Sequence, residues 1–192
     1  EASALGQVKE VTGLMEIQRA KQTTWLAAQR DTDVFFGDTI TTGDESRGTI
    51  KLVDDSIIRV HANSKIVLNT MISPLEKKHS VLLYFGKLWN RISKKALQKK
   101  VFEVQTPTAV CGVRGTEFET ASYEDGTMLV RVISGEVEVD NEVVQETLVS
   151  NQGTQVSFEQ KTIKIEPDFQ PDWERDMMFH ISGGTYYQPP FY

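Results

Sequence analysis

The stretch "GTMLVRVISGEVEVD", residues 126–140, sets the class of the fold. Met128, Val130 and Val132 occupy every second position. Val137 and Val139 resume the alternation between Glu136, Glu138 and Asp140. A period of two belongs to a β-strand with one buried face, because successive side chains point to opposite sides of the backbone. Ser134–Gly135 between the two runs supplies residues that tolerate tight-turn backbone, so the stretch reads as two short strands joined by a turn.

The same pattern extends in both directions. "GTIKLV" places Ile50 and Leu52 opposite Lys51, "SIIRVH" places Ile58 and Val60 opposite Ile57 and Arg59, and "SKIVLN" aligns Ile66 with Leu68. "QGTQVSFE" and "KTIKIE" repeat it toward the C-terminus. "VDDS" (53–56) and "EDGT" (124–127) are turn signals, and Gly37 and Gly43 bracket a very short strand around Ile40. Short strands punctuated this often predict an all-β fold, a solenoid-like or sandwich-like stack of mostly antiparallel strands. No strict sequence period is present, so any repeat is structural.

The chain has 192 residues, enough for a domain with its own core and a short appendage. The expected division is a β domain over 1–166 and a C-terminal element over 167–192. A net charge of −6 argues against a nucleic-acid binder, which needs a surplus of Lys and Arg to neutralise phosphates. A single cysteine excludes an internal disulfide and any cysteine-based zinc cluster. No run approaches the ~20 apolar residues of a membrane-spanning helix. The numbering opens at Glu1 without a leader, so the reading is of an exported chain, periplasmic or extracellular, whose signal peptide has been removed.

The residues offer little to an enzyme. Cys111 lies in an apolar run with no histidine near it in sequence, which fits a buried small side chain better than a nucleophile. His61, His79 and His180 are scattered, the acidic pairs Asp44–Glu45 and Asp54–Asp55 sit in turns, and "GVRGT" lacks the ending of a phosphate loop. The expectation is a non-enzymatic protein without cofactor or metal.

"VQTPTAVCGVRGTEFET", residues 104–120, departs from plain alternation. Pro107 cannot donate to a ladder and belongs at a strand start or edge, and Thr106 before it is pushed to extended backbone. Gly112 and Gly115 are expected to bend the chain twice around Val113–Arg114. Arg114 carries five donors, so its side chain is expected to be buried and bonded to nearby carbonyls. Pro107, Gly112, Arg114 and Gly115 are thus structural candidates.

Two further segments concern partners. "KLWNRISKKALQKK", residues 87–100, is strongly basic in an acidic protein and reads as a strand end followed by one or two helical turns. It either docks an anionic partner or is a solvated segment with Leu88, Trp89, Ile92 and Leu97 turned inward. "DWERDMMFHIS", from Asp172, reads as a short helix with Trp173, Met177 and Ile181 on one face. The tail "TYYQPPFY" follows, and Tyr186, Tyr187, Phe191 and Tyr192 pack either on their own domain or on a partner.

"VQTPTAVCGVRGTEFE" resembles the signature of the FecR-like domain family. "WLAAQRDTDVFFGDTITTG" (25–43) is similar to the family's entry segment, "GTIKLVDDSIIRVHANSKIVL" to its strand pair, and "GTMLVRVISGEVEV" to its closing strands. The resemblance covers roughly residues 5–165. Asp55 stands where glycine is usual, so it must accept that turn's geometry, and Cys111 stands where a small residue is common. The resemblance implies a cell-envelope β domain whose best-known relatives relay occupancy of an iron-siderophore receptor to a sigma factor. Those relatives carry a sigma-binding segment and a membrane span, which this sequence does not contain. The expectation is therefore a stand-alone exported member acting as a protein–protein interaction or self-assembly module. The alternatives are a glycan- or peptidoglycan-binding module using Trp89, and an envelope signal sensor related to iron-transport regulation.

Overall fold

The computed structural model describes residues 3–72, 77–94, 102–159 and 162–171, without the side chains of 70–72, 77–78 and 114. Fifteen strands account for most of these residues. In chain order they are β1 (Gly6–Thr12), β2 (Met15–Gln18), β3 (Trp25–Ala27), β4 (Asp33–Val34) and β5 (Thr39–Thr42). Next come β6 (Arg47–Leu52), β7 (Ile57–Val60), β8 (Lys65–Ile72), β9 (Lys77–Arg91) and β10 (Phe102–Gln105). Then follow β11 (Val110–Ser122), β12 (Met128–Asp140), β13 (Gln145–Val149), β14 (Gln152–Val156) and β15 (Glu166–Pro167).

The pairings resolve into two layers. The first runs β4–β1–β6–β7–β9–β11–β12–β14–β15. The second runs β3–β2–β5–β8–β9–β10–β11–β12–β13. Only β9–β10 among these pairs is parallel. The two layers face each other across one core: Met15 of the second lies so close to Gly48 of the first that a Cβ at Gly48 would stand 2.2 Å from its sulfur. Both sequences of strands are nearly monotonic, so the chain winds back and forth while advancing. The fold is thus sandwich-like in section and solenoid-like in progression.

Three strands belong to both layers. β9 pairs with β8 as far as Phe85 and with β11 from Gly86 onward. β11 pairs with β10 through Val113, and its register with β12 shifts between Arg114 and Glu117. β12 turns at Gly135, so Ser134–Gly135 is a corner inside one 13-residue strand and not the expected turn between two. The local signal is the same in both cases, a glycine with positive φ. Pairing on either side of the break decides the outcome.

Each corner has its own fastening. Gly86 has φ +101, and the Ser64 hydroxyl accepts the amide of Lys87 at 3.0 Å. Gly115 (φ +58) and Gly135 (φ +93) lie side by side, where the Thr116 hydroxyl donates to the Glu136 carbonyl at 2.7 Å. The corner of β9 lies beside Ser122, whereas those of β11 and β12 lie beyond Glu117 and Ser134, at the other end of the first layer.

Gly112 departs from the double bend. It holds regular register with Glu103 and Glu138, and β11 turns only at Gly115. Neighbours on both sides keep Gly112 extended, whereas the extra residue at 115–116 breaks the ladder. Pro107 lies in the tight turn between β10 and β11, where the Thr106 amide donates to the Ala109 carbonyl at 2.9 Å. The backbone of Arg114 pairs with Glu136, and its side chain lies outside what is described. Asp55 takes φ +68 and pairs with Lys51 at 2.9 Å, so an aspartate does fill the glycine-type turn.

The core follows the alternation. Val8, Ile50, Ile58, Phe118 and Val132 line the inside of the first layer, and Ile17, Ile40, Val104, Cys111 and Val139 that of the second. Leu88 and Ile92 turn inward as expected, whereas Trp89 faces outward. β15 straddles the expected 166/167 boundary and pairs with β14. The predicted helix from Asp172, the aromatic tail and Leu97 lie outside the described residues.

A Cβ at Gly86 would stand 2.1 Å from Ser64 Oγ and 2.5 Å from its Cα. Gly86→Ala is expected to destabilise the fold by at least ~2 kcal/mol through strained backbone and overpacking. Denaturant unfolding of this variant beside Gly48→Ala measures it. Gly48 has ordinary φ and meets only the flexible Met15 side chain, so its cost is smaller. Equal costs at the two sites would contradict the corner's role.

Candidate functional site

The outer face of the first layer carries a row of polar and aromatic side chains. Register aligns Thr49 of β6, Arg59 of β7, Trp89 of β9, Glu119 of β11 and Arg131 of β12 in one row. These are the outward positions of strands whose inward positions build the core. The core pattern therefore fixes the row.

Trp89 is held by cations. The Arg59 guanidinium lies 4.8 Å from the ring centroid and that of Arg91 5.9 Å, both within the range of attraction between a cation and an indole. Arg91 is two residues along β9 and so on the same face. Neither guanidinium forms an ion pair with a carboxylate among the described residues.

Glu119 sits beside Trp89 and is 8% exposed. Lys87 Nζ lies 3.2 Å from its Oε1, and Arg131 donates from Nε to its Oε2 at 2.8 Å, with Nη2 bonding the same oxygen. Arg131 Nη1 also donates to Gln170 Oε1 at 3.0 Å. Burial lowers the pKa of Lys87 below its ordinary value, and Glu119 opposes that shift. One carboxylate thus anchors two cations. A buried pair of this kind fixes geometry more than it adds stability.

His61, just past β7, borders the row, and its amide donates to the Lys87 carbonyl at 3.0 Å. Burial first, then Lys87, hold its imidazole at about 4. It is therefore neutral at pH 7, and its Nε2 is buried without a hydrogen-bond partner. Thr49 Oγ1 is a second such atom on this face. Cys111 lies elsewhere, fully buried in the second layer, where desolvation pushes its thiol well above the ordinary range. Among the described residues no group of His, Cys, Asp or Glu is placed to hold a metal ion. On this face the carboxylate is engaged, the histidine is neutral, and the guanidiniums of Arg59 and Arg91 lie against the indole.

Of the partner-binding candidates read from sequence, Trp89 lies at the centre of this face, while Tyr186, Tyr187, Phe191 and Tyr192 lie outside the described residues. Lys87 and Arg91 come from the basic segment. Arg59, Glu119, Arg131 and His61 were not singled out from sequence. The first three are outward residues of alternating strands and His61 follows β7, but only the register of β7, β9, β11 and β12 brings them together.

The sequence model of the FecR protein family matches residues 38–138. The chain belongs to the FecR family. The match runs from the buried Asp38, which accepts from Arg19 and the Phe35 amide, to Glu138 near the end of β12. The FecR fold recurs in two crystal structures of a "putative anti-sigma factor" from Parabacteroides distasonis ATCC 8503. Each is 22% identical to this chain, has a TM-score of 0.59, and is matched over 78% of this chain and 67% of that one. No curated protein matches.

His61 gives the face a measurable signature. Its folded pKa of about 4 lies below the ordinary 6.5, so the unfolded chain binds more protons between those values. Its contribution is fully present above pH 6.5 and is lost as pH falls toward 4. The loss is on the order of 2 kcal/mol once the ring's partial exposure is allowed for. Urea unfolding across this range should show a fall that is reduced in His61→Gln. The same pH dependence in both proteins would contradict the burial of a neutral imidazole.

Proposed function

We propose that this FecR-family chain is a non-enzymatic regulatory module of the cell envelope that receives a signal by binding a protein on the outer face of its first layer. The observation that carries the reading is the family match over residues 38–138. The two structural neighbours carry the description "putative anti-sigma factor", which supports regulation over a purely architectural role. An exported location accords with that reading.

The site's chemistry favours a protein partner over a sugar. A glycan platform needs an open aromatic face, whereas Trp89 is covered by Arg59 and approached by Arg91. Guanidiniums held in place around an indole instead suit carboxylates combined with apolar contact. Cys111 is inaccessible and, among the described residues, His61 Nε2 bonds no nucleophile, which supports a binding role over catalysis.

Deleting the gene and profiling transcripts with and without the inducing condition tests this. The expected result is altered transcription of a defined gene set, restored by the wild-type chain in the envelope fraction. Arg59→Glu with Arg91→Glu should fold but fail to restore it. Unchanged transcription in the deletion, or full restoration by the double variant, would overturn the regulatory role or the site respectively.

A further inference from the structure

Val110 and Gly112 of β11 flank the core-facing Cys111 and so lie on the outer face of the second layer. Register sets Asp140 of β12 beside Val110 and Glu138 beside Gly112. On the other side, Gln105 of β10 stands beside Val110, and Leu82 of β9 stands beside Gln105. Glu103, which accepts from Gln105 Nε2 at 3.2 Å, stands beside Gly112. Val110 and Leu82 are partly buried, whereas Glu138 and Asp140 are exposed. Gly112 carries no side chain, so the row Glu103–Gly112–Glu138 dips at its centre between two carboxylates. Among the described residues neither Glu138 nor Asp140 forms an ion pair.

We propose that this patch is the docking surface for the Arg59–Trp89–Arg91 face of a second copy of the chain. The proposal rests on the reading of that face as protein-binding and names its partner. The two surfaces complement each other in charge, in apolar content and in spacing. One presents two guanidiniums around an indole, and the other presents two carboxylates beside Val110 and the dip at Gly112. Glu138 and Asp140 are two residues apart along one strand, about 7 Å. Arg59 and Arg91 are one strand and two residues apart, about 8 Å by the same spacings. Each guanidinium can therefore meet one carboxylate as Trp89 settles over Gly112 against Val110.

The two surfaces lie on opposite outer faces of the sandwich, because the layers face each other across one core. A contact between them is heterologous, so each copy that docks through one surface still presents the other. Copies then stack face to back, into open chains or, where the rotation closes, into rings. Within a stack Trp89 is covered by the neighbouring copy. A signal protein that binds the same face competes with that copy, which couples assembly to the signal.

Sedimentation of the full chain tests this. At low salt the weight-average mass should rise from that of one chain to about twice that or more over about a hundredfold rise in concentration. Salt at ~1 M should reverse the rise by screening the pairs. Arg59→Glu with Arg91→Glu should abolish it, as should Glu138→Lys with Asp140→Lys. Mixing these two variants should restore a complex of two chains, since each retains the surface the other has lost, and misfolding would not give that result. A monomer at every concentration, assembly that survives the Glu138 and Asp140 exchange, or no complex on mixing would each overturn the proposal. A monomeric chain whose Arg59 and Arg91 variant still fails to restore transcription would overturn the stacking alone. Stacking as described, with transcription restored by that variant, would support the contact and overturn the regulatory reading of the face.

Discussion

The architecture rests on three strands that each serve two layers. β9, β11 and β12 can do so only because the backbone takes positive φ at Gly86, Gly115 and Gly135, a region closed to most side chains. The corners sit at opposite ends of the first layer, so the layers are joined at both ends by continuous chain. Ordinary sandwiches depend on side-chain packing and loops to hold their sheets together. Here the covalent backbone crosses the gap three times, and the core of Ile, Val and Leu fills what the crossings enclose.

That constraint also creates the candidate site. Once Leu88, Phe118 and Val132 point inward, Trp89, Glu119 and Arg131 must point outward, and the pairing of β9, β11 and β12 sets them in line. The ion group around Glu119 then locks the row's geometry. Its cations are poorly hydrated, so losing the carboxylate would leave buried charge without compensation. The face is rigid because it is the back of the core. A surface on such a support presents fixed donors instead of donors that must be ordered on contact.

Much of this was readable from the chain alone, because alternation reports which residues face the core. Ile50, Ile58, Val130 and Val139 were placed by their spacing, and the "GVRGTEFE" motif with its companions named the family. The rest depends on non-local pairing. Ser134–Gly135 carries the same local signature whether it ends a strand or bends one, and only its neighbours β11, β13 and β14 distinguish the two. Gly112 and Gly115 look alike in sequence, yet one is held straight by ladders on both sides. Arg59 and Glu119 are sixty residues apart along the chain and flank one tryptophan only because of register. β1, β2 and β3 went unremarked because pairing with partners far along the chain defines them more than their own pattern does.

Native-state hydrogen exchange tests the central claim most directly, since it reports which amides open together. If three strands bind the layers into one unit, the amides of β9 and β11 on both sides of Gly86 and Gly115 should share a single opening free energy, equal to that of global unfolding. Residues 81–83 and 111–113 would then exchange with residues 88–90 and 118–120. Separate opening of one layer, with its halves of β9 and β11 exchanging well before the other's, would contradict it.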